Sequence, residues 1–283
     1  MTGQAGTERP WIMWIGLGLV GLLAAVALLA PWITPFDPTE VNPEARLLAP
    51  SAQHWLGTDH LGRDQFARVV FGTRTSLGAV ALIFALVLTI GSIVGGIAGY
   101  CEGIVDAVLM RTCDAFMTIP TLVLALFLIG VLGTGMTNVI IAITLSHWAW
   151  YARLVRGLTL ELRQRGHIAA ARVAGGSRTA ILIRHILPAI AGQLVVLSTL
   201  DLGHWMLHVA GLSFLGLGVA APTPEWGIMI NDARPFVWTA PMLILVPGAA
   251  ILVTVMAFNL LGDAARDRLD PTLAGPATGG HEH

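Results

Sequence analysis

Apolar residues fall along this chain in six long runs separated by shorter polar stretches. A helix needs about 20 apolar residues to cross a hydrocarbon core of about 30 Å. Segments 11–33, 77–99, 115–132, 136–152, 190–216 and 242–261 meet or approach that length. They predict an all-α membrane protein with six transmembrane helices. Pro120 and Pro247 interrupt the third and sixth, which membrane helices tolerate where neighbours satisfy the freed backbone groups. The first run carries no charge between Arg9 and Asp37. It is too long for the apolar region of about 7–15 residues in a cleaved signal, so it reads as a retained helix.

The polar stretches divide the chain further. Residues 1–33 form an N-terminus and first span, 34–76 an outer loop, 77–270 a five-helix core and 271–283 a disordered tail. The outer loop opens with the turn signal Pro35-Phe36-Asp37-Pro38. Later in it, Phe66, Val69, Val70 and Thr73 recur at helical spacing, with Arg68 and Arg74 on other faces. That pattern predicts a short amphipathic helix lying at the membrane interface, either a collar before the second span or a docking surface for a soluble binding protein. A second outer segment, Pro222-Thr223-Pro224-Glu225-Trp226-Gly227, is rich in turn formers, and Trp226 and Trp238 suit an aromatic belt.

Within the core, segment 153–188 is polar. The alanine run 169–171 favours helix, and Gly175-Gly176 end it in the manner of a C-cap. A second short helix then runs from Ser177 to Leu187 and ends at Pro188. Two short helices around a glycine turn make a compact knob that a partner's groove can close around.

Composition supports lipid as the solvent. Of 283 residues, 55% are hydrophobic and 12% charged, against about 25% charged in soluble domains. A formal net charge of −1 excludes bulk attraction to nucleic acid. All 16 basic residues are Arg, so no P-loop lysine and no nucleotide site of that type is available. With the N-terminus inside, eleven Arg lie on the cytoplasmic side and five outside, the inside-positive pattern. Seven of the eleven fall between Arg153 and Arg184, with Glu161 the lone acid there. Both termini are then cytoplasmic. Cys101 and Cys113 fall near the cytoplasmic face, where thiols stay reduced.

Ionisable residues inside a span are costly and mark function. The fifth span holds Asp201, His204 and His208, whose spacing puts them on one helical face. The fourth holds His147 beside Trp148 and Trp150. Neutral imidazole suits nickel, zinc and copper, so these four are candidate contacts on a metal or substrate path. The alternative is a buried Asp201–His204 hydrogen bond with His208 merely packed. If the four do contact cargo, a weak, distributed site is expected, because a transporter must release what it binds. No nucleophile–base constellation stands out, and the terminal His281-Glu282-His283 reads as a solvated tail.

Several motifs are similar to those of ABC-importer permeases. Ala170, Ala171, Gly175, Leu187 and Pro188 match the family's Glu-Ala-Ala…Gly…Leu-Pro signature, with Ala169 where that family often has Glu. His54-Trp55-Leu56-Gly57-Thr58-Asp59, Gly62-Arg63-Asp64, Ser213-Phe214-Leu215-Gly216 and Pro224-Glu225-Trp226-Gly227 resemble the dipeptide, oligopeptide and nickel subfamily. So does the stretch from Asp263 to Asp270. The surroundings of His147, and of His204 with His208, resemble the C-type permease subunit of the nickel branch.

The resemblance implies a type I importer fold and a transport subunit, not an enzyme. It implies a bacterial inner-membrane location, nickel (free or chelated) as cargo and no cofactor of its own. It also implies a second homologous permease, two ATPases that carry ATP and Mg, and a periplasmic or extracellular substrate-binding protein as partners. Residues 169–171, 175, 187 and 188 become the ATPase-coupling set. A peptide importer of the same fold, and an ATP-independent channel or secondary transporter, are the alternatives.

Overall fold

The computed structural model describes residues 10–269, so Arg9, the tail and His281-Glu282-His283 lie outside the described residues. The described part is helical, without a strand, in the order α1 (Pro10–Ile33), α2 (Gln65–Cys101), α3 (Gly103–Met117), α4 (Thr121–Leu132) and α5 (Met136–Leu162). There follow α6 (Gly166–Val173), α7 (Arg178–Ile181), α8 (Leu187–Phe214), α9 (Trp226–Ala233) and α10 (Met242–Leu269). Four of these stretches are long and apolar enough to cross a membrane, and the α3–α4 pair makes a fifth if counted as one span.

The expected separate amphipathic helix is not a separate element. Segment 65–73 forms the first turns of α2, which continues unbroken for 37 residues. Asp64 caps it by accepting the Ala67 N–H at 2.7 Å. Arg68 is buried rather than at an interface, and its guanidinium donates to the carbonyls of Pro38 and Pro222 and lies 3.4 Å from Asp59. Nothing between Thr73 and Leu77 breaks helix, and Ser76 donates to Glu225 in the second outer segment.

That loop is held by its own motif. Asp59 accepts from the backbone N–H of Leu61 and Arg63 and from Arg63 Nε at 2.6 Å. Gly62 has φ +78, and a Cβ there would sit 1.8 Å from the Asn42 carbonyl oxygen. At the same end of the molecule, Glu225 caps α9 by accepting from Ile228 N–H at 3.0 Å and from the Ser76 hydroxyl at 3.1 Å. Burial pushes the Glu225 carboxyl above its ordinary range against these donors.

The third expected span begins earlier than its apolar run and is broken. α3 and α4 meet at 91°, because Pro120 cannot donate a helical hydrogen bond and disfavours helix at the residue before it. The core lies among α2, α5, α8 and α10, around Ile83, Val87, Ile143, Tyr151, Trp205 and Met206.

α2 and α5 pack through a glycine stripe. A Cβ at Gly91, Gly95 or Gly99 would lie 2.6 Å from Tyr151 Cβ, 2.2 Å from the Ala152 carbonyl or 2.8 Å from the Arg156 carbonyl. Such spacing lets two membrane helices approach backbone to backbone.

Candidate functional site

The glycine stripe fixes α5 against α2 and so fixes which face α5 turns toward α8. On that face His147 Nδ1 lies 2.8 Å from the Ile143 carbonyl, one turn back. A carbonyl only accepts, so Nδ1 carries the proton and the Nε2 lone pair is left free in the neutral ring. On α8, His208 Nδ1 makes the same bond to the His204 carbonyl at 2.8 Å. The two imidazoles face each other edge-to-face, with ring centroids 5.3 Å apart. Two neutral rings with free Nε2 atoms can offer two donors to a divalent metal.

A second polar layer lies along the same seam. The Tyr151 hydroxyl donates to Asp201 Oδ2 at 2.5 Å, and Trp205, fully buried, packs against both Tyr151 and His147 at 6.1 Å. Asp201 Oδ1 is 3.9 Å from His204 Nδ1, an ion-pair distance without a hydrogen bond. His204 is 72% exposed, so the buried Asp201–His204 pair is not what forms. Asp201 is held by Tyr151 instead.

His147, His208 and Asp201 therefore lie on the α5–α8 seam, His204 is exposed, and the four do not converge on one point. Among the described residues no three His, Cys, Asp or Glu side chains could hold one metal ion. The sequence reading missed Tyr151 and Trp205. Both lie one helical turn or less from the expected residues, and that spacing was the available signal.

At the opposite end of the molecule from Glu225 stands the expected knob. α6 is closed by Gly175 at φ +84 and by the Gly176 N–H bonding the Ala171 carbonyl at 3.1 Å, the pattern of a Schellman cap. Ser177 Oγ then accepts the Ala180 N–H at 3.2 Å and starts α7. Ile168, Ile181 and Ile186 are buried beneath the turn, while Ala170 and Gly175 are exposed.

The second knob helix does not end at Pro188. It widens into a π-turn, Leu182–Ile186, and runs on as α8 with Pro188 in its first turn. Leu187 N–H reaches back to the Leu182 carbonyl, and this wider turn accommodates the proline ring that would clash in a regular helix.

Residues 91–275 match the family described as binding-protein-dependent transport system inner membrane component. Residues 11–50 match the N-terminal TM domain of oligopeptide transport permease C. The nickel transport system permease protein NikC of Escherichia coli (strain K12) is 56% identical over 93% of this chain and 95% of its own. The glutathione transport system permease protein GsiD of Escherichia coli O6:K15:H31 is 46% identical over 90% of this chain and 84% of its own. A chain of the MetNI methionine ABC transporter, in an inward-facing conformation, aligns with a TM-score of 0.55 at 18% identity. It covers 70% of this chain and 95% of that one, and supports the fold. The chain is thus a multi-pass inner-membrane protein, and it belongs to the family of binding-protein-dependent transport system inner membrane components.

Proposed function

We propose that this chain is one permease subunit of an ATP-driven importer and forms half of the translocation pathway for nickel, free or chelated. The observation that carries the reading is the His147–His208 pair, each ring bonded through Nδ1 to its own helix and the two rings 5.3 Å apart on the α5–α8 seam. The 56% identity to a nickel permease supports the cargo. Two donors without a third make a station a metal can leave, as transport requires. Water or a chelating ligand on the ion fills its remaining positions.

In this reading six segments span the membrane, with α3 and α4 together as the third and α5 as the fourth. The Arg distribution supports a cytoplasmic side for α6 and for both termini. A second homologous permease covers the open side of the histidine face. Two ATPase subunits grip the knob at Ala169, Ala170, Ala171, Gly175, Leu187 and Pro188, and their ATP and Mg drive alternating access. A substrate-binding protein docks on the face formed by residues 34–64 and α9. The chain itself performs no chemistry.

The 46% identity to a glutathione permease favours a second reading, a peptide cargo with incidental histidines. Reconstitution of the whole importer, with and without its ATPases, separates the readings. Nickel uptake that requires both ATP and the ATPases is expected. Glutathione uptake without nickel uptake would install the second reading, and uptake without ATPases would overturn both.

A further inference from the structure

α3 packs antiparallel to the end of α5, and three acid–Arg pairs run along the contact. Glu102 Oε1 is 2.7 Å from Arg163 Nη1, and Asp114 pairs with Arg153. Between them Arg156 donates two hydrogen bonds to Asp106, at 2.5 and 2.6 Å. Beneath these pairs Cys113 is buried against Ala149 and Ala152, and Phe116 meets Trp148 edge-on at 5.4 Å. Partly exposed ion pairs each contribute little to stability. Three in one register instead fix how two helices slide.

Both ends of α3 are breaks in the helical backbone. At its start Glu102 has φ 55 and ψ −174, a conformation almost reserved for glycine and costly for other residues. Gly103 follows with φ +64. At its end lies the 91° break before α4. Arg163, which grips Glu102, is the C-cap of α5 and stands three residues before α6. Trp148, which α3 touches, is the neighbour of His147.

We propose that α3 is a lever, with Asp106 and Arg156 as positioning residues that lock it to the knob end of α5. Displacement of α6 moves α5 and α3 as one body. The hinges at Glu102–Gly103 and at Pro120 take up the change, and α4 re-angles against α5. The lever rests on the importer reading but not on the identity of the cargo.

The test uses the complete reconstituted importer and whichever cargo the wild type takes up, so failure of the nickel reading leaves the lever testable. Asp106→Arg and Arg156→Asp are each expected to lower cargo moved per ATP hydrolysed by about tenfold, within the usual range of coupling between sites. ATP hydrolysis should persist. The double swap is expected to restore the ratio to within about threefold, because the two sites share one interaction. An unchanged ratio in the single variants, or no recovery in an assembled double variant, would overturn the lever.

A distance measurement covers variants that fail to assemble. In a Cys101→Ser background, spin labels at Ala107→Cys on α3 and Gln164→Cys beside the knob should keep their separation between nucleotide-free and ATP-bound states. Labels at Ala107→Cys and Val131→Cys on α4 should change theirs. A shift of the first pair by more than about 5 Å, one helical turn, would show that α3 does not follow α5.

Discussion

Tyr151 on α5 donates its hydroxyl proton to Asp201 on α8 at 2.5 Å, one turn along the seam from the facing imidazoles of His147 and His208. The bond orients the one carboxylate on that face. A hydrogen bond to a charged group contributes about 1.5–3 kcal/mol, less where water can replace it, and Asp201 is 35% exposed. Tyr151→Phe is therefore expected to lower uptake about tenfold at intact assembly, corresponding to about 1.4 kcal/mol. Uptake rates of purified, reconstituted importer check this, and wild-type uptake would remove Tyr151 from the pathway.

Gly95 lets α2 and α5 touch backbone to backbone, since a Cβ there would meet the Ala152 carbonyl at 2.2 Å. Gly95→Ala should cost about 1–3 kcal/mol through overpacking and lower the melting temperature in detergent by several degrees. Gly78→Ala, where nothing lies within 4 Å of the added carbon, should change it little. Equal melting temperatures for both variants would mean that the stripe does not set the helix spacing.

Much of this architecture is legible in the residue pattern, and the misplaced ends of the spans share a cause. Apolar windows locate the spans but stop where polar residues begin. α5 runs ten residues past its expected end at 152 because Arg153 and Arg156 pair with acids on α3. α2 starts twelve residues before 77 because Arg68 is buried against Asp59. A hydropathy pattern scores such residues as solvent-facing when a partner distant in sequence neutralises them. The Gly175 turn was readable because its requirement is local. Tyr151's place one turn from His147 was readable, but its bond to Asp201, fifty residues on, was not.

Glu225 supplies a pH signature. Burial raises its carboxyl above the ordinary value of 4.5, so the folded chain holds this proton more tightly than the unfolded chain does. The stability linked to that proton is complete below the ordinary value and is lost as pH rises through the raised one. Wild type should therefore lose thermal stability relative to Glu225→Gln over that rise. Parallel melting curves for the two proteins across pH 4 to about 8 would contradict the account.

Gly175 holds φ +84 in the knob, where a side chain costs about 1–2 kcal/mol of backbone strain. Gly175→Arg adds bulk on the exposed face of the same turn. It is expected to separate ATP hydrolysis from transport or to prevent assembly with the ATPases. Co-purification of the subunits and the ratio of cargo moved to ATP hydrolysed check this, and a wild-type ratio in an assembled complex would move the coupling surface elsewhere.

The most direct test is uptake of radiolabelled nickel by the reconstituted importer carrying His147→Leu and His208→Leu together. Assembly and ATP hydrolysis should survive while ATP-dependent nickel uptake falls by at least about tenfold, a loss of about 1.4 kcal/mol of stabilisation along the path. Nickel uptake equal to that of wild type would contradict a metal path between α5 and α8.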